Sequence, residues 1–248
     1  MSLFNDKLKK ITLKEMLSVF IVLFLIQYLL NSLNIVQVNA FWIYIFIIFY
    51  FIFKLKDEFF SIGDDISEVF SPNVIRNVFL IVILNVFLSY GMLYFSNSIL
   101  QIASHNIFES FFTGSLIATV FISPVVEELI FRGVFINRLK LVVPTVYAIL
   151  ISSMIFASLH SFGSIFSAFI FAVCVSILYL KTENIFVAIF AHFLNNLFAE
   201  IIVMADYNNI LFTDNMIVLI MSLLAILSLI LISVSIVKEL NTINNNKS

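Results

Sequence analysis

Charge is scarce in this chain: 11% of its 248 residues are Asp, Glu, Lys or Arg, against 62% that are hydrophobic, and the mean hydropathy is +1.13. Soluble domains carry about 25% charged residues, so a water-soluble globule is excluded and the chain reads as an all-α, polytopic membrane protein. Cysteine is nearly absent. Cys174 has no second thiol to pair with, which excludes a disulfide framework and a multi-cysteine metal site; in its apolar run it reads as a small buried hydrophobe. A net charge of −2, without a basic tract or a Gly-rich phosphate loop, gives no basis for binding nucleic acid. Five glycines, three prolines and no internal repeat argue against a proton-coupled transporter, which calls for repeated halves and broken helices.

What is present is a series of long apolar runs. At about 20 apolar residues per span, eight are expected, at roughly 16–33, 39–54, 76–96, 110–136, 144–160, 164–180, 184–204 and 215–237. The first is too long for a signal-peptide core of roughly 7 to 15 residues and reads as a retained span. Placing the N-terminus inside puts Lys7, Lys9, Lys10, Lys14, Lys54, Lys56, Arg76, Arg138, Lys140, Lys181, Lys238 and Lys247 at cytoplasmic ends or loops, twelve of the thirteen basic residues. The positive-inside rule therefore predicts both termini in the cytoplasm of a single integral-membrane domain, 1–248. The 56–73 stretch, acidic and apolar by turns, fits an interfacial amphipathic segment or a plain loop equally well. The Asn-rich stretch Asn241 to Ser248 reads as a disordered tail, and His105 as a surface residue of an outer loop.

The remaining basic residue, Arg132, sits in an apolar run with two glutamates, Ser123-Pro-Val-Val-Glu127-Glu128-Leu-Ile-Phe-Arg132. A carboxylate at bilayer depth costs several kcal/mol unless it is paired, hydrated or neutralised, so this cluster is a functional-site hypothesis by default. Residues four apart share a helix face while neighbours splay by about 100°. Glu128 and Arg132 are thus placed to pair, freeing Glu127 to face a cavity as a candidate base. Two more polar clusters interrupt the spans, Phe156-Ala-Ser-Leu-His160 and His192-Phe-Leu-Asn-Asn196. Counting about 1.5 Å per helical residue from the cytoplasmic ends puts Glu127, His160 and His192 at similar depth on three helices. Glu200 continues the stripe of His192 and Asn196 but falls near the outer interface, where solvation explains it.

At these residues the chain resembles the CPBP family of intramembrane proteases, which includes the CAAX prenyl proteases and bacterial enzymes tied to bacteriocin processing and self-immunity. The family pattern is Glu-Glu-x-x-x-Arg, Phe-x-x-x-His and His-x-x-x-Asn or Asp on successive core helices, and all three occur here in order. The resemblance covers about residues 110–200, implying a catalytic core at 110–204 with accessory spans at 1–109 and 205–248. It implies an endopeptidase in which Glu127 activates a water bound by His160, while His192 and Asn196 stabilise the oxyanion. Glu128 shares the site, its role exchangeable with that of Glu127, and Arg132 and Phe156 give structural support. A metal-free, glutamate-based reading competes with an older metalloprotease label; zinc, if present, would take Glu127, His160 and His192, and no cofactor is favoured. A membrane-associated peptide or protein is the implied substrate, a bacteriocin or signalling-peptide precursor among the candidates, and the Asn-, Ile-, Lys- and Phe-rich composition suggests a bacterial plasma membrane. The alternative is a non-catalytic immunity or scaffold protein of the same fold.

Overall fold

A computed structural model describes residues 2–33, 40–98, 116–160, 165–206, 208 and 210–245. They are helical, with no strand among them, as a chain of lipid-immersed runs requires: in hydrocarbon the backbone must satisfy its own hydrogen bonds. In order, α1 is Leu3–Lys9, α2 Leu13–Ser32 and α3 Ala40–Leu55; a 3-10 turn over Lys56–Ser61 leads into α4, Ile62–Val69, and then α5, Pro72–Ser98. A single helical run, α6, follows, made of π-helical Ala118–Ile122, α-helical Ser123–Glu128, π-helical Leu129–Phe135 and α-helical Ile136–Leu139. The chain continues through α7 (Thr145–Ser158), α8 (Ile165–Thr182), α9 (Ile185–Ala205), a short α10 (Ile210–Thr213) and α11 (Asn215–Asn245).

Five of these helices are long and apolar enough to cross a membrane: Leu13–Ser32, Pro72–Phe95, Ile165–Thr182, Ile185–Ala205 and Asn215–Ile243. The protein is a multi-pass membrane protein. Burial separates its centre from its rim, because half of the α8 span is buried in protein against 6% of α2. Leu17, Phe24, Leu25 and Tyr28 of α2 are all exposed, a surface suited to lipid. Where α5 meets α11, Gly91 lies so close to Ala225 that an added Cβ would collide with its side chain, the close small-residue packing common between membrane helices. Cys174 is half-buried against the cluster of Leu88, Ile170 and Ile232.

One end of the bundle is closed by α1. Leu8 is fully buried and its Cδ2 would lie 2.7 Å from a Cβ added to Gly133, so this helix packs directly on the backbone of α6. The buried Asn5 gives Nδ2 to Asp65 Oδ2 (2.9 Å) and accepts from the Ile185 amide (3.0 Å), while Asn184 Nδ2 donates to Asp65 O (2.8 Å). Arg138 Nε donates to Ile11 O (2.7 Å), and Lys7 and Lys9 pair with Glu58 (3.1 Å) and Glu183 (3.4 Å). The 56–73 stretch is therefore largely helical and held in this network through Asp65, which sets aside the plain loop. The tail expected from Asn241 is corrected in part: α11 runs to Asn245, and Thr242 Oγ1 bonds back to Lys238 O (3.0 Å), continuing the turns that Lys238 and Glu239 begin. His105 lies outside the described residues.

Candidate active site

The two glutamates stand at a change of helical register. Pro124 has no N–H to give, so the turn before it cannot close in the ordinary i to i−4 pattern, and the Ser123 amide bonds to Ala118 O in the wider π-helical pattern. A second wide stretch, Leu129–Phe135, follows the glutamates. Such segments recur at functional sites because they re-aim side chains.

Glu128 is fully buried and pinned on both sides. Its Oε1 accepts from Arg132 Nη1 (2.9 Å) and lies 2.7 Å from His192 Nδ1. Arg132, 1% exposed, also donates from Nη2 to Ala172 O (3.1 Å) and lies over the Phe156 ring, 4.7 Å from its centroid. Phe156 is the hinge of this packing: its ring also meets those of His160 (4.6 Å) and His192 (5.7 Å). His160 directs Nδ1 at Phe156 O (3.0 Å); as that carbonyl only accepts, the proton sits on Nδ1 and Nε2 is left for another partner.

Glu127 points the other way, into a cavity of about 300 Å³. Its Oε1 accepts from Ser123 Oγ and from Tyr44 OH of α3 (3.3 Å). Its Oε2 lies 4.0 Å from His192 Nε2. That is too long for a hydrogen bond, but it is the span of two bonds of about 2.8 Å meeting at one oxygen atom with an angle near 90°. His160, His192 and Asn196 line the same cavity, so α6, α7 and α9 bring together side chains that the sequence places 33 and 32 positions apart. The splay between neighbouring glutamates is thus the device that separates a buried, paired carboxylate from one facing open space.

The donor set Glu127, His160 and His192 does not fit a zinc ion as arranged. No group of three His, Cys, Asp or Glu side chains among the described residues is placed to hold a metal.

Three participants carried little signal in the sequence. Ser123 is one helical turn from Glu127 and could have been found by the spacing that pairs Glu128 with Arg132. Asn85 of α5, 4% exposed, is a lone amide in an apolar run that gives Nδ2 to Asn195 Oδ1 (2.8 Å). Tyr44 is one aromatic among many, and nothing in α3 marks it. The placement of Glu200 in solvent is corrected: it is 7% exposed and lines the cavity beyond Asn196, because α5 and α10 cover the face of α9 on which it stands.

Residues 109–198 match the model of a protein family described as type II CAAX prenyl endopeptidase Rce1-like. The match covers 90 of the 248 residues, a similarity of this segment to that family. No curated protein and no solved structure matches the chain. The matched segment contains Glu127, Glu128, Arg132, Phe156, His160, His192 and Asn196, and ends two residues short of Glu200.

Proposed function

We propose that the protein hydrolyses a peptide bond of a membrane-associated peptide or protein, with Glu127 as the general base. The observation that carries this is the 4.0 Å gap between Glu127 Oε2 and His192 Nε2, which seats one oxygen atom between a carboxylate and an imidazole. Glu127 takes a proton from a water held there and by His160 Nε2, and the water oxygen attacks the carbonyl carbon. Asn196 has one Nδ2 hydrogen on Thr119 O (2.9 Å) and a second for the developing oxyanion. As the water oxygen leaves its seat for the carbonyl carbon, His192, when doubly protonated, turns its one Nε2 hydrogen to the same developing oxyanion. Glu128 balances that imidazolium through Nδ1, and Arg132 in turn balances Glu128, giving a row of alternating charges. Proton return from Glu127 to the amine nitrogen then releases the product. General-base action of this kind contributes about 10²- to 10⁴-fold in rate.

Bacteriocin or signalling-peptide precursors in a bacterial plasma membrane are the substrates we favour. Peptidomics of membranes carrying the wild type or Glu127→Ala tests the function: a precursor that accumulates only with the variant is expected, and identical peptide profiles would replace proteolysis with partner binding. We place the end closed by α1 in the cytoplasm. A cysteine introduced at Asn208 should be labelled from outside and one at Asn137 should not; the opposite pattern reverses the orientation.

A further inference from the structure

The cavity does not end at the reacting groups. It continues along α9 past Asn196 to Glu200, and across to Asn85 and Tyr90 of α5 and Phe212 of α10. This outer arm has a definite polarity, set by a relay of amides. Thr119 O can only accept, so Asn196 turns Nδ2 to it (2.9 Å). Asn196 Oδ1 is then left to accept from Asn195 Nδ2 (3.4 Å), and Asn195 Oδ1 to accept from Asn85 Nδ2 (2.8 Å). Each orientation forces the next. The relay ends on Asn85 Oδ1, a buried acceptor with no hydrogen-bond partner among the described residues.

The second polar group of the arm is also an acceptor. Glu200 is more than nine-tenths buried, lines the cavity and makes no hydrogen bond or ion pair with any described residue. Among the described residues no Lys or Arg lines the cavity. Water would satisfy an amide oxygen; a buried carboxylate is neutralised by a proton or, where it stays charged, calls for a cation, whose opposite charge and directed donors offset its desolvation. An ammonium or guanidinium group supplies both: it carries donors and no acceptor.

We propose that Glu200, in the arm of the cavity that Asn85 also lines, forms a subsite that receives a positively charged group of the substrate, an Arg or Lys side chain or a free amino terminus. The identity of the ligand as a peptide rests on the endopeptidase reading above; the preference for a cation rests on the arm itself. Glu200 is eight residues from His192, about 12 Å along the helix, and an extended peptide advances about 3.3 to 3.6 Å per residue. The charge is therefore set two to four residues from the cleaved bond, the reach of the side chain accounting for the range.

Binding tests this without turnover. The full chain carrying Glu127→Gln, in phosphatidylcholine nanodiscs, is titrated with acetylated, amidated Leu/Ala decapeptides bearing one arginine at each position in turn, and with the same peptides bearing neutral citrulline. Arginine should bind at least about tenfold more tightly at one or two adjacent positions, a preference worth about 1.4 kcal/mol. Adding Glu200→Gln should reduce it to within twofold, and Glu200→Asp should keep part of it. A matching set with free amino termini distinguishes a terminal amine from a side chain. Equal binding of arginine and citrulline to the protein with Glu200 intact overturns the subsite, as does no binding of either or a preference that survives Glu200→Gln; the first comparison decides even if the Gln variant does not fold. Cleavage of the same peptides by the wild type is scored separately by mass spectrometry. Cutting without charge preference would remove the subsite and leave the endopeptidase reading intact; charge-selective binding with no precursor accumulating in Glu127→Ala membranes would do the reverse.

Discussion

The end of the bundle closed by α1 and the cavity half are both rich in polar side chains, yet they treat them differently. At the closed end Asn5, Asp65 and Asn184 complete one another's hydrogen bonds, and the lysines find glutamates. In the cavity Glu127 Oε2, His160 Nε2 and Glu200 face open space. A polar group satisfied inside the protein holds the fold, while one left facing a cavity is available to a ligand. Glu127 and Glu128 compress the contrast into two adjacent residues, because Glu128 belongs to the paired interior and Glu127 to the cavity.

The contrast breaks most visibly at Arg132. Arg132→Ala leaves Glu128 buried and short of its cation, and should cost about 3 to 5 kcal/mol, read as lost folded yield and a lower unfolding temperature in detergent. Normal stability with activity alone lost would move Arg132 to the reactive side of the comparison. Asn5→Ala strands the Ile185 amide and removes a donor from Asp65, with an expected loss of about 1 to 3 kcal/mol in the same unfolding assay. Lys7→Ala removes a half-exposed ion pair with Glu58 and should change stability by less than about 1 kcal/mol. A loss at Lys7 as large as that at Asn5 would mean that long-range charge, not hydrogen bonding, holds α1 in place.

Much of this contrast was legible in the sequence. Apolar runs gave the helices to within a few residues at most boundaries, because a lipid-facing helix must be apolar along its whole length. Spacing by four paired Glu128 with Arg132 and freed Glu127, since that geometry is local to one helix. What lay beyond reach depends on how helices pack. The bond from His192 to Glu128 joins positions 64 apart, Tyr44 reaches Glu127 from another helix, and Glu200 looks solvated until α5 and α10 are laid over it. The π-helical stretches around the glutamates had a cue in Pro124, but a proline shows only that a helix is disturbed and not how it recovers.

The most direct measurement compares Glu127→Gln with Glu128→Gln in one pair of assays, turnover of a substrate identified by peptidomics and thermal unfolding of the same purified samples. Glu127→Gln should keep the wild-type unfolding temperature and lose about 10²- to 10⁴-fold in turnover. Glu128→Gln should unfold at markedly lower temperature, because Arg132 loses its counter-charge. Near-normal turnover by Glu127→Gln, or a Glu128→Gln protein as stable as the wild type, would contradict the division of labour between the two carboxylates.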